Sequence, residues 1–108
     1  MVKQGDIIKV DLAPTIGHEQ SGYRPVLVVS NDFIMSQTNM VYVAPITNTI
    51  RKFPLHVELD DRTKTTGEIL CEQVKAVDLN ARKFTLIEHI PDDILKKVLD
   101  RIIGCFDA

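Results

Sequence analysis

Apolar positions along this chain recur at two periods, and the change of period divides it into strands and one helix. Residues 6–12 alternate from Ile8 onward and predict a strand. Residues 14–22 contain Gly17 and Gly22 and little apolar material, which predicts a loop. Residues 25–30 are rich in β-branched side chains and predict a buried central strand. Pro25 is expected only at its first position, because proline cannot donate to a ladder. Asn31 has the chemistry to cap a short helical turn. Residues 40–46 predict another strand, with Pro45 near its end. Residues 55–59 alternate cleanly, and the polar stretch 60–67 reads as a turn. Residues 68–77 alternate again and read as one strand, with Gln73 and Lys75 on the same face. Residues 82–90 suit a short edge strand.

The period then lengthens. Ile94, Leu95, Val98, Leu99, Ile102 and Ile103 form one apolar stripe at helical spacing. Pro91, Asp92 and Asp93 suit the first turn of that helix, and Gly104 its end. Five or six short strands with a terminal helix predict a small barrel or curled antiparallel sheet. The βαβ alternation of a parallel nucleotide-binding sheet is not there.

Composition changes this picture little. A length of 108 residues predicts a single domain over 1–108. A net charge of −2 argues against a protein that coats nucleic acid, but leaves room for a local basic groove. Cys71 and Cys105 lie in apolar runs without CxxC spacing and are expected to be small buried side chains. His18, His56 and His89 lack the local spacing of zinc motifs, so no metal and no cofactor are expected. No apolar h-region opens the chain and no stretch is long enough to span a membrane, so a cytoplasmic location is expected.

Candidate chemistry gathers in four places. The string Gly17-His18-Glu19-Gln20-Ser21-Gly22-Tyr23-Arg24-Pro25 packs a cation, an acid, a histidine and an aromatic into a loop that runs into a strand. Arg24 at the junction either presents a fixed, bidentate guanidinium to a phosphate or pairs with Glu19 or Asp32 to hold the loop. Thr47 and Asn48, at the end of a strand, either aim a hydroxyl into a cleft or close a side-chain-bonded turn. Gln73 and Lys75 either line a groove or form a solvated face. Arg51 and Lys52 beside Phe53 join backbone-contacting charge to a stacking surface.

These strings, taken together, resemble the MazF/PemK family of toxin endoribonucleases. The first motif spans residues 11–30, the second is Ala44-Pro45-Ile46-Thr47, and the third runs from Leu70 through Cys71-Glu72-Gln73-Val74-Lys75 to Asp78. The resemblance implies a mainly β fold: an SH3-like barrel of five to seven antiparallel strands with short helices and a C-terminal amphipathic helix, forming a homodimer. It implies metal-independent cleavage of single-stranded mRNA at a short sequence, and a cognate antitoxin with an acidic flexible segment. It places the catalytic arginine at Arg24, the catalytic threonine at Thr47 and a supporting glutamate at Glu19. His18, Gln20, Tyr23, Asn48, Arg51, Lys52, Gln73 and Lys75 are the expected RNA contacts. His18 departs from the family, where serine is frequent. The segment 50–54 is expected to shape sequence choice. A gyrase poison of similar architecture would carry its activity on a Trp-Gly-Ile tail, and this chain has no tryptophan.

Overall fold

A computed structural model describes residues 2–12, 17 and 22–107. Their elements in chain order are β1 (Asp6–Asp11), β2 (Tyr23–Val28), α1 (Asp32–Thr38), β3 (Met40–Thr47), β4 (His56–Glu58), β5 (Glu68–Leu70), a single 3-10 turn (Cys71–Gln73), β6 (Lys75–Asp78), β7 (Phe84–His89) and α2 (Asp92–Gly104). The protein is mainly β, with short helices and a C-terminal helix. Every strand pairing is antiparallel, in the order β4-β5-β3-β2-β1-β7, and β6 pairs with the first half of β3.

The central strands are apolar at nearly every position because both sheet faces are covered. On one face Ile7, Leu27, Ala44, Ile46, Ile69 and Ile90 pack with Ile94 and Val98 of α2. On the other, Ile8, Val10, Val26, Val28, Val41 and Val43 pack with Val77, Leu79 and Met35 of α1. Helix α1 is capped as expected: the Asn31 side chain accepts from the Ile34 N–H at 3.1 Å. The sheet does not close on itself by strand pairing among the described residues. Its far ends are joined by side chains instead. The Glu88 carboxylate on β7 accepts from the Lys64 N–H at 3.0 Å and the Thr65 N–H at 2.8 Å, in the turn between β4 and β5.

Several local expectations are corrected. Pro25 is the third residue of β2, opposite Lys9. The β2–β3 ladder runs only as far as Val26↔Pro45, so the missing N–H falls where no ladder bond is due. Residues 68–77 are two strands, not one. Their register against β3 shifts by three residues, Ile46↔Ile69 becoming Val43↔Lys75, and the turn Cys71–Gln73 absorbs the excess. Gln73 and Lys75 therefore do not share a strand face. Pro91 is the N-cap of α2 and not a first-turn residue. Ile103 is exposed, the stripe of α2 having turned away from the sheet by then. Gly104 is the last residue of α2, as expected, and the cap is Cys105 in right-handed conformation. Cys105 is exposed, whereas Cys71 is buried as expected.

Candidate active site

The proline in β2 shapes the site next to it. One step beyond Val26↔Pro45, the register would set Pro25 against Ile46. Proline has no N–H to offer there, and the Ile46 carbonyl accepts instead from Arg24 Nη1 at 3.5 Å. Arg24 is half-buried and lines a hollow of about 490 Å³. Thr47, the last residue of β3, also lines this hollow, with Thr49, Arg51 and Phe53 from the following segment. His56, Leu70, Glu72 and Gln73 complete the wall.

Thr47 is set by its neighbours. Its Oγ1 accepts from the Thr49 N–H at 3.2 Å, closing a turn. Gly67 passes so close behind it that a β-carbon there would overlap the Thr47 carbonyl, and the Gly67 φ of +119° belongs to glycine.

The electrostatic centre of the wall is Glu68, 2 % exposed. Its carboxylate accepts from the Arg51 N–H at 3.1 Å, the Lys52 N–H at 2.9 Å and His56 Nδ1 at 2.9 Å. The Arg51 N–H foremost, then His56 and the Lys52 N–H, hold the carboxyl below its ordinary value against the opposing pull of burial. His56 Nε2 faces Glu72 Oε2 at 3.0 Å. Burial draws the imidazole down, but hydrogen bonds and charge from Glu72 and Glu68 outweigh it, and the net shift is upward from 6.5. The hollow thus concentrates Arg24, Arg51 and His56 on a chain whose net charge is −2.

The expected residues divide accordingly. Arg24, Thr47, Arg51 and Gln73 meet at the hollow. Asn48 turns to a neighbouring one, with Lys9 and Lys64, and accepts there from Thr66 Oγ1 at 2.8 Å. Lys52 reaches Glu58 at 3.5 Å on the exposed surface. Tyr23 bonds Thr85 at 2.9 Å beside Arg82 and Lys83, on a separate surface. Lys75 lies in an apolar hollow with Tyr42, Leu99 and Phe106. His18, Glu19 and Gln20 lie outside the described residues. Sequence reasoning passed over His56 and Glu72 as site residues; their meeting depends on the β4–β5 register and the turn after β5, neither of which leaves a local signal. Among the described residues, no group of three or more His, Cys, Asp or Glu side chains is arranged to hold a metal ion. No helix there is long and apolar enough to cross a membrane.

Known proteins resemble this one in sequence and in fold. The profile of a family described as PemK-like, MazF-like toxins of type II toxin–antitoxin systems matches residues 3–106. Endoribonuclease PemK of Escherichia coli is 37 % identical over 105 residues, covering 94 % of this chain and 79 % of that protein. Endoribonuclease EndoA of Bacillus subtilis is 39 % identical over 103 residues, covering 91 % and 88 %. The crystal structure of MazF from Deinococcus radiodurans superposes with a TM-score of 0.90 at 25 % identity, covering 96 % of this chain and 94 % of that one. A MazE–MazF structure from the same organism gives 0.83 at 25 % identity, with the same coverage. With a family profile spanning nearly its whole length and two relatives above a third identical, this chain belongs to the PemK-like, MazF-like toxins of type II toxin–antitoxin systems.

Proposed function

We propose that this protein is a sequence-specific endoribonuclease that cuts single-stranded mRNA without a metal, using Arg24 and Thr47 at the hollow between β2, β3 and the turn after β5. The observation that carries this reading is the convergence of those two side chains, from separate strands, on one hollow with Arg51 and Gln73. Both curated relatives carry the word endoribonuclease in their names.

The nucleophile is the substrate's own 2′-OH. It attacks the adjacent phosphorus in line, the P–O2′ bond forms and the P–O5′ bond breaks. The 2′ proton passes to a base, and the departing 5′ oxygen takes a proton. The products are a 2′,3′-cyclic phosphate and a 5′-OH. Such a reaction requires alignment and stabilisation of the phosphorane charge. Arg24, braced on the Ile46 carbonyl, supplies fixed donors to that charge. An arginine with a pKa above about 12 is a poor acid, so its role is electrostatic first. Thr47 holds the scissile phosphate or the 2′-OH by a hydrogen bond. Glu19 either accepts the 2′ proton or orients Arg24. Arg51 and Gln73 contact RNA within the hollow, with Phe53 as a stacking surface. His18, Gln20, Tyr23, Asn48, Lys52 and Lys75 extend the contact over neighbouring surfaces.

The wider assignments follow from the same reading. The chain is one domain, an SH3-like barrel whose sheet is brought round by the Glu88 bonds to residues 64 and 65. It acts in the cytoplasm, away from membranes. It forms a homodimer, a reading supported by exposed apolar side chains at Phe84 and Leu86 on edge strand β7 and at Ile103 and Phe106 near the C-terminus. A cognate antitoxin neutralises it with an acidic, flexible segment that competes for the cationic hollow. The MazE–MazF structure at 25 % identity supports such a partner.

The test uses a panel of single-stranded RNAs in EDTA, copies carrying 2′-deoxy at the cut position, and the Arg24→Ala variant. Cleavage that disappears with the 2′-deoxy copy and with the variant, leaving cyclic phosphate ends, is the expected result. Cleavage that survives 2′-deoxy substitution rules out the proposed nucleophile.

A further inference from the structure

The segment that leads from Thr47 to β4 carries Arg51 and Phe53 into the hollow, and it is held at both ends and in the middle. Thr47 Oγ1 takes the Thr49 N–H at 3.2 Å at its start. Arg101 of α2 donates from Nε to the Pro54 carbonyl at 2.7 Å at its end. In the middle, the successive N–H groups of Arg51 and Lys52 converge on the buried Glu68 carboxylate, an anion-binding nest. Lys52 takes a φ of +52°, a left-handed conformation that a lysine adopts under constraint.

The constraint continues through His56. Its Nδ1 is 2.9 Å from Glu68 and its Nε2 is 3.0 Å from Glu72. A carboxylate offers only acceptors, and a neutral imidazole has only one N–H. Both contacts are hydrogen bonds only when the ring carries two protons. The same ring meets Phe53 edge-on, centroids 5.2 Å apart and planes at 72°.

We propose that His56, donating from both ring nitrogens to Glu68 and Glu72, is the positioning residue that sets Arg51 and Phe53 for the RNA in the hollow. This rests on the endoribonuclease reading above and deepens it. Loss of one proton leaves the ring a single N–H. Glu68 retains it, being 2 % exposed with no solvent to replace it. Glu72, 32 % exposed, is released as an uncompensated negative charge at the place the RNA phosphates approach. The charged groups around the ring come from every packed element. They are Arg24 of β2, Arg51 and Lys52 of the segment, Glu58 of β4 (paired with Lys52), Glu68 of β5, Glu72 of the turn and Arg101 of α2. The Cys71 thiol, buried behind them, is pushed up to about 12 and is silent near neutrality. His56 is the histidine in this set, the side-chain type that changes charge near neutral pH. RNA binding therefore weakens as pH rises through its raised value.

The experiment measures Kd by fluorescence anisotropy for a 2′-deoxy copy of the RNA the protein cuts, or of the tightest binder if none is cut. KM and kcat for the all-ribo RNA are followed in parallel, from about pH 6 to about pH 8.5. In the wild-type protein Kd and KM should rise about tenfold across that range, the scale of one charge-assisted hydrogen bond, with kcat changing less. His56→Gln should bind weakly at every pH, with the dependence gone. Glu72→Gln sits at the exposed end of the chain and keeps the fold; it should bind at high pH nearly as well as at low pH. Kd and KM that are flat with pH and indifferent to both substitutions overturn the proposal. A wild-type protein that cuts no RNA overturns the endoribonuclease reading instead. In that case the anisotropy arm still decides whether His56 positions a binding surface.

Discussion

Replacing Gly67 with alanine tests how Thr47 is held. The Leu59 N–H donates to the Gly67 carbonyl at 2.9 Å, so the β4–β5 hairpin fixes this backbone in place. A φ of +119° is strained for any residue with a β-carbon, at a cost of about 1–3 kcal/mol. The added methyl also meets the Thr47 carbonyl carbon and oxygen, backbone atoms that cannot rotate away. Overlap of this kind costs a further ~1–3 kcal/mol. Together the variant should lose about 2–6 kcal/mol, a large share of the ~5–15 kcal/mol available to a domain. At roughly 4–8 °C per kcal/mol, melting should fall by at least about 8 °C. Whatever relief is found comes by moving the Thr47 carbonyl, so cleavage by the folded fraction should fall as well. Gly104→Ala is the control: nothing lies within 4 Å of a β-carbon there, and the residue is helical. It should be stabilising by about 0.5–1 kcal/mol. Thermal unfolding followed by circular dichroism reads both. A Gly67→Ala protein that melts with the wild type and cleaves normally would show that the close approach to Thr47 is wrong.

Other expectations are simpler. Arg24→Ala and Thr47→Ala should each lower kcat about 10²–10³-fold with an unchanged melting temperature, and an unfolded Arg24→Ala protein would show that Arg24 is structural glue. Stability should depend on pH in two opposite senses. Glu68, depressed when folded, stabilises above its ordinary 4.5 and loses that contribution as pH falls through its folded value. His56, raised when folded, stabilises fully below 6.5 and loses its contribution as pH rises through its folded value. Urea midpoints should thus peak between those values, and His56→Gln should remove the alkaline decline; a decline that persists in the variant refutes the assignment. Val98→Ala, at a fully buried position of α2, should cost about 1.5–3 kcal/mol in urea unfolding. A thiol reagent should modify Cys105 in the native protein and Cys71 only after denaturation; rapid native labelling of both would contradict the burial of Cys71.

Periodic apolar patterns made most of this fold legible. β1, β3 and α2 lie where the spacing puts them, within a residue or two of their ends, and α1 starts at its expected cap, Asn31. Alternation failed between Glu68 and Val77 because a tight 3-10 turn can preserve an apolar–polar rhythm while breaking a strand. The break answers a register shift against β3, a relation between residues about 30 apart. The placement of Pro25 failed for a related reason: whether a missing N–H matters depends on where the neighbouring ladder stops. At the site, Arg24 and Thr47 were legible through motifs. His56 was not, since a lone histidine in an alternating stretch looks the same whether it faces water or two carboxylates. Gln73 reached the hollow by the turn and not by the strand face assumed for it.

The hollow has a consequence for how such a toxin is made. Its lining runs from residue 24 through residues 47, 49, 51, 53 and 56 to residues 70, 72 and 73, and its rim is tied from residue 101. Contacts so distant along the chain cannot form while the chain is still short. During synthesis Arg24 and Thr47 therefore emerge before residues 70–73 complete the wall, and Pro54 gains its tether only after α2 has been translated.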